Sequence, residues 1–509
     1  MTTLPPRRKR AKASVRQRPV GQPPGAEETV TSNSINRRNV LIGATALTAA
    51  AATAGRAAAQ ANAGAAAPAA ALPARGEFVI RGANVLTMDP ALGDLAVGDV
   101  YVRDGAIIAV AANVDAPSAE VIDGAGMICM PGFVETHWHL WTSSCRPVVR
   151  EDNPKLGYFP VTATLGTFYQ PEHSYRAVKH GLAEALYAGI TTTHNWAHNV
   201  RSPAHADAEL RAMRDVGIRG RFSYGTPQGY ANELPMDSPD LARVKKEWLP
   251  DNPLLTLGIC SRNIGGGTSP GRGLITTDMA KRDWGAARDL GLPITMHTSS
   301  ASPIKLLEEA GLLGSDVQLV HALLTTPEER QILAARGTSY STAPQGESRR
   351  ASKVGEIQLG ELLDAGVKVS MSIDHIANSN CDCFSCMRTL YSLYQHRMPD
   401  PSKLTTRRLV QLATIDGAIA LGLDKQVGSL TPGKRADIIL IRTSDPNMAL
   451  MGDPYDALVN LAQPGNVDLV VVDGRILRRA GAYTALDYKQ VIADSGQTAS
   501  ELRALAKWM

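Results

Sequence analysis

His137 and His139 stand two residues apart in Met130-Pro-Gly-Phe-Val-Glu-Thr-His-Trp-His-Leu140. On an extended strand alternate side chains leave the same face, so both imidazoles project together. Two imidazoles converging at a strand end supply the first two ligands of a divalent transition metal. The same spacing also suits two strand histidines, one exposed and one in the core. Three later apolar runs end in a further ligand type: Pro293-Ile-Thr-Met-His297, Leu319-Val-His321 and Ser370-Met-Ser-Ile-Asp374. Any one of these groups could simply satisfy a buried hydrogen bond. Four histidines and an aspartate, each closing a strand-like run, point together to a metal centre.

Such a set needs elements that bring distant segments to one place. From Phe133 to Ile373 the pattern alternates strand and helix. The strands are expected near Phe133–His139, Gly189–Thr193, Arg219–Ser223, Leu254–Ile259, Pro293–Met296, Val317–Val320, Thr338–Thr342 and Val367–Ile373. Helices are expected between them, including Ala204–Arg214, Met279–Leu290, Pro303–Ala310, Pro327–Arg336 and Val354–Ala365. Eight strands alternating with helices predict an α/β fold, a (β/α)₈ TIM barrel whose chemistry lies at the C-terminal strand ends. The candidate ligands fall at those ends. Short alternating segments in 76–130 and 428–485 have too few strands to bury a core separately. They predict one small composite β-sandwich built from both ends of the mature chain. The domain reading is therefore 1–75 export signal and Ala-rich linker, 76–130 with 428–485 sandwich, 131–427 barrel, and 486–509 C-terminal helical tail.

The chain resembles the metal-dependent amidohydrolase superfamily, in its triazine hydrolase and cytosine deaminase-like branch. The resemblance rests on Pro131-Gly-Phe-Val-Glu-Thr-His-Trp-His139, Gly189-Ile-Thr-Thr192, His297, His321-Ala-Leu-Leu-Thr-Thr-Pro-Glu-Glu329, Ser372-Ile-Asp374, Ala413-Thr-Ile-Asp-Gly417 and Gly428-Ser-Leu-Thr-Pro-Gly-Lys-Arg-Ala-Asp437. It implies that His137, His139, His297 and Asp374 bind one divalent ion, zinc ahead of ferrous iron, with His321 beside it. The strand-4 segment Gly258-Ile-Cys-Ser261 lacks the lysine of binuclear relatives, which favours one metal. The implied chemistry is hydrolysis of a non-peptide C–N bond, or displacement of a substituent, on a small cyclic or heteroaromatic compound. A divalent ion lowers the pKa of water to about 7. Asp374 would accept the water proton and pass it on, and His321 would polarise the substrate atom that gains charge. Hydrolysis of an open-chain amide, carbamate or urea is the second reading, and a non-catalytic binding protein on the same barrel is the third.

Two positions depart from the family pattern. Ser300 stands where deaminase relatives carry a proton-shuttling glutamate, which turns the expectation away from plain cytosine or guanine deamination. Thr142 replaces a substrate-holding glutamine. Aromatic and imidazole groups near the strand ends, Trp141, Trp196, His198 and His375, are the candidate substrate contacts along with Ser300; Trp138 lies there too. Cys381, Cys383 and Cys386 are expected to be free or partly buried thiols. A disulfide or a bound metal is the other reading of that spacing.

Of 509 residues 44% are apolar, enough for a large core, and the formal charge is +4. That charge is concentrated at the start, where residues 1–60 hold ten Lys and Arg against two Glu. The remainder is near −4, so nucleic acid is not an expected partner. Arg37-Arg38, the Ala- and Thr-rich run from Val40 to Gly55, and the cleavage candidates Ala59-Gln-Ala61 and Ala61-Asn-Ala63 resemble a twin-arginine export signal. The run falls short of the roughly 20 apolar residues of a spanning helix. The expected partners are a small-molecule substrate and the twin-arginine machinery, with homo-oligomerisation left open. The expected destination is the periplasm or the extracellular medium.

Overall fold

The computed structural model describes residues 71–265, 274–298, 303–321, 323–354, 356–394 and 400–508. The twin-arginine segment and Ser300 lie outside the described residues. Everything described belongs to one unit, Ala69–Met509.

Its centre is an eight-stranded sheet with every neighbouring pair parallel. The strands run in chain order: Phe133–Val134, Ile190–Ala197, Arg219–Tyr224, Leu255–Ser261, Ile294–His297, Val317–Val320, Ser339–Thr342 and Val369–Met371. Parallel neighbours need crossover connections, and helices such as Pro203–Val216, Thr277–Asp289 and Pro327–Arg336 supply them. The last of these opens with a capping box: Thr326 accepts from the Glu329 amide and Glu329 accepts from the Thr326 amide. Gly337 closes it in the left-handed conformation, at φ +69°. The sheet curls until its two ends meet at Trp138, which bridges Asn195 on one side and Asp374 on the other. There the His139 amide donates to the Asp374 carbonyl at 2.7 Å, and the Asp374 amide donates to the His137 carbonyl at 2.9 Å.

Two elements differ from expectation. The first strand was expected over Phe133–His139, but its ladder covers only Phe133–Val134. The Glu135 side chain takes the His137 amide at 2.7 Å, which removes that donor from the ladder. The helix expected over Val354–Ala365 covers only Leu359–Asp364, and a further helix, Pro344–Val354, precedes it. Pro344 suits the start of that further helix.

Strands from both ends of the chain join in one nine-stranded mixed sheet. The seam is Met127–Pro131 against Ile438–Arg442, antiparallel, with Met130 opposite Ile439. Hydrogen bonding thus runs continuously through strands expected to divide into two facing layers. Period-two alternation sorts the side chains. Ile128, Met130, Ile439 and Ile441 join the main core of the unit. Cys129, Ile438 and Leu440 turn to a separate core with Phe78, Val100 and Leu469. A helix near the C-terminus, Tyr488–Leu505, is capped by Asp487. Its Leu502 packs into a cluster with Trp141, Tyr158 and Tyr169.

Candidate metal centre

The five ligand-type side chains come from four strand ends of the parallel sheet. His137 and His139 follow the first strand, His297 closes the fifth, and His321 and Asp374 stand just beyond the sixth and eighth. The last two have positive φ, +72° at His321 and +70° at Asp374. A non-glycine residue in that region costs about 1–3 kcal/mol and persists where the surroundings over-determine it.

The imidazoles converge nitrogen to nitrogen. His139 Nε2 lies 3.2 Å from His297 Nε2. Asp374 Oδ1 is 3.4 Å from His137 Nε2 and 3.5 Å from His139 Nε2. Ligand atoms of His137, His139 and His297 fall within 4.8 Å of one another, and so do those of His137, His321 and Asp374. Neither ring nitrogen of His137 has a hydrogen-bond partner among the described residues, nor does Nδ1 of His139. Buried polar atoms are normally satisfied, and nitrogen lone pairs facing one another across about 3 Å repel unless a proton or a cation lies between them. The donor set of imidazoles and one carboxylate fits zinc or ferrous iron.

Electrostatics keeps these groups ready to bind a cation. Burial pushes His137 down to about 4, and holds His139 and His297 well below the usual histidine range. They are therefore neutral at neutral pH, with lone pairs available. Burial alone would raise Asp374, yet the surrounding histidines, His375 foremost, hold it well below the usual carboxylate range.

Behind the cluster lie two buried carboxylates that the sequence did not single out. Glu135 Oε1 accepts from the amides of His137 at 2.7 Å and Ile373 at 3.2 Å. Its Oε2 accepts from Thr193 Oγ1 at 3.2 Å and the His194 amide at 3.3 Å. Burial lifts this carboxyl to about 7, against the pull of those four donors. Glu347, in the helix Pro344–Val354, faces His321 Nδ1 at 3.2 Å. The signal for Glu135 was its place two residues before His137; Glu347 had none, because its partner lies 26 residues away.

A cavity of about 380 Å³ opens onto the cluster. His139, His297, His321 and Asp374 line it, and His137 lies beneath. Of the candidate substrate contacts, Trp196 lines the cavity, its ring 4.3 Å from that of His137 and 4.2 Å from that of His297. His198 lines it as well, 4.2 Å from His139 between ring centres. Both its nitrogens already face protein: Trp141 Nε1 donates to Nε2 at 3.4 Å, and Nδ1 faces the Gln228 amide at 3.1 Å.

Trp141 does not reach the cavity. It is wholly buried, edge-on to Tyr169, because the turn Leu140–Cys145 carries it under the wall. Trp138 is likewise core. His375 is buried and stacks on Tyr158, 4.1 Å between centres at 16°, so Tyr158 takes the place at the cavity wall. Thr142 Oγ1 donates back to the His139 carbonyl at 2.8 Å. All six cysteines are free and buried, and Cys381, Cys383 and Cys386 form no metal-holding group among the described residues.

The amidohydrolase family model matches residues 128–477, and the chain belongs to that family. It is accordingly a hydrolase acting on carbon–nitrogen bonds other than peptide bonds. Among its relatives, a 5'-deoxyadenosine deaminase of Methanothermobacter thermautotrophicus is 28% identical over 81% of this chain and 96% of its own. A 5-methylthioadenosine/S-adenosylhomocysteine deaminase of Pelotomaculum thermopropionicum is 27% identical over 83% and 98%. Among solved structures, a zinc-bound adenosine deaminase from Xanthomonas campestris superposes with a TM-score of 0.74 at 22% identity, covering 85% of this chain and 100% of that one. A zinc complex of atrazine chlorohydrolase from Arthrobacter aurescens gives 0.70 at 22%, covering 83% and 100%. These likenesses establish the fold.

Proposed function

We propose that the protein is a mononuclear metal hydrolase that cleaves an exocyclic C–N bond, or displaces a substituent, on a small cyclic or heteroaromatic compound. The observation that carries this reading is the convergence of three histidine nitrogens and the Asp374 carboxylate at the floor of the cavity. His137, His139, His297 and Asp374 would hold one ion, zinc ahead of ferrous iron. The ion would supply Lewis acidity and bring the pKa of water to about 7. Asp374 accepts the proton of the attacking water and returns it to the leaving group. His321 donates to the substrate atom that gains negative charge. Trp196 offers a planar wall for the ring. The relatives named above support a heteroaromatic substrate, and the fold reading that accompanies it is a closed (β/α)₈ barrel beside a composite sandwich. One observation favours the second reading, an open-chain amide, carbamate or urea. Asp374 is the one carboxylate among the described residues lining the cavity, so those residues offer no second carboxylic acid to protonate a ring nitrogen.

The test is metal analysis of purified protein, turnover before and after chelation, and restoration with zinc or iron, run over a panel of heterocycles, amides and ureas. Release of ammonia, an alkylamine or halide from a heterocycle, lost on chelation and restored by zinc, is expected. Full activity in the metal-free protein sinks the reading. We further propose export by the twin-arginine route, supported by Arg37-Arg38 and the apolar run after them. Changing both arginines to lysine should trap the enzyme in the cytoplasmic fraction.

A further inference from the structure

His321 presents two ring nitrogens, and what each one faces decides what the residue can do. Nδ1 is 3.2 Å from Glu347 Oε1, with His321 2% and Glu347 1% exposed. Nε2 makes no hydrogen bond among the described residues, and the ring lines the cavity, parallel to His297 at 9° with 5.2 Å between centres. Glu347 is itself held on both oxygens. Thr342 Oγ1 donates to Oε2 at 2.6 Å, and the Ala343 amide donates to Oε1 at 2.8 Å. A carboxylate so fixed accepts from a proton-bearing Nδ1 and thereby selects that tautomer, leaving the Nε2 lone pair to take up the proton that His321 then donates to the substrate atom gaining charge.

We propose that Glu347 is the positioning residue of His321: it pins the proton on Nδ1 and turns Nε2 into the cavity. The inference rests on the metal-hydrolase reading above and adds to it the tautomer in which His321 enters the reaction. His321 has a left-handed backbone, φ +72°, which leaves its ring direction to be set by what the ring touches. Glu347 is the one carboxylate bonded to it among the described residues. A plainer role exists for the same side chain. Glu347 sits in the first turn of the helix Pro344–Val354, and its bond from the Ala343 amide is a helix-capping contact. The experiment must separate the two.

The comparison uses full-length, zinc-loaded protein, with ¹⁵N-histidine spectra and with turnover of the fastest substrate found in the panel. Glu347→Leu removes the acceptor at similar volume, and Glu347→Gln keeps an oxygen for Nδ1–H. Thr342→Val removes one of the bonds that hold the carboxylate without touching the imidazole. His321→Asn assigns the resonance. In the parent and in Glu347→Gln, His321 should carry its proton on Nδ1. In Glu347→Leu that signature is lost and kcat falls about 10- to 100-fold with KM little changed, the scale of removing an outer partner of a metal-site imidazole. Thr342→Val, which loosens the carboxylate but leaves the Ala343 bond and the acceptor in place, should keep the proton on Nδ1 and lower kcat by much less than Glu347→Leu. A His321 tautomer unchanged in Glu347→Leu, or a Thr342→Val variant as impaired as Glu347→Leu, overturns the proposal and leaves Glu347 a helix cap. A parent that binds no zinc and turns over no substrate overturns the metal-hydrolase reading instead, so the two failures are distinguishable.

Discussion

Asp374 combines three demands in one residue: a carboxylate oxygen 3.4 Å from His137 Nε2, a backbone at φ +70°, and an amide that pairs with the opposite end of the sheet. Asparagine is among the few residues that tolerate the left-handed region, so Asp374→Asn preserves the backbone and removes the proposed proton acceptor. Turnover should fall by about 10²- to 10⁴-fold, the usual share of a general acid–base group, while the circular dichroism spectrum stays that of the parent. A variant retaining parental kcat would show that the proton travels elsewhere. The two tryptophans separate in the same way. Trp196→Ala should raise KM for ring substrates, because it opens the cavity wall. Trp141→Ala should cost roughly 3–5 kcal/mol of stability in urea titration, since a fully buried indole leaves a void in the cluster beneath. Its KM should stay near that of the parent.

Among the elements, the stretch after the first strand, the middle of the second and the stretch after the last are tied by one side chain. Glu135 gathers donors from His137, Thr193, His194 and Ile373, where regular ladder bonding stops. The first strand's ladder covers only two residues and backbone pairing resumes at Trp138, so the Glu135 side chain serves the amide that lies between. Behind the second strand a different carboxyl, Glu209, is wholly buried with Asn195 Nδ2 donating to it at 2.9 Å. Burial raises its pKa from 4.5 to about 8. The unfolded chain therefore gives up this proton near pH 4.5 and the folded one only near 8. Stability from this group is complete below about 4.5 and declines as pH rises toward 8. Glu209→Gln should flatten that decline, leaving a protein more stable than the parent at pH 8 by roughly a few kcal/mol. Melting temperatures of both proteins from pH 5 to 8 would show it, and parallel curves would place the proton elsewhere.

For the molecule as a whole, the parallel sheet and the composite sheet are locked by buried charge. Arg219, on the third parallel strand, donates to Asp437 Oδ2 at 2.7 Å and lies 3.6 Å from Asp473, which also accepts from Arg435 and Arg75. Removing one partner leaves a buried charge uncompensated, so Asp437→Ala should destabilise by roughly 3–5 kcal/mol in denaturant titration. Replacing one member of an exposed pair such as Lys403–Asp364 should change little. No helix of the described residues is long and apolar enough to cross a membrane.

Much of this was legible in the order of residues. Period-two runs ending in His297, His321 and Asp374 marked the candidate site, because strand geometry is local and the polar residue closing an apolar run marks the strand's end. Helices such as Pro327–Arg336 were bounded by their own caps. The strand and helix alternation likewise announced a parallel sheet, since crossovers are written into chain order. Other features depend on distance in space rather than in sequence. Glu347 found His321 only once the sixth and seventh strands were neighbours. Trp141 and Trp196 look alike in sequence, each beside a strand end, yet a short turn buries one and a strand face presents the other. Local geometry fixes which way a side chain leaves its own strand; what it meets there is set by segments folded in from tens to hundreds of residues away.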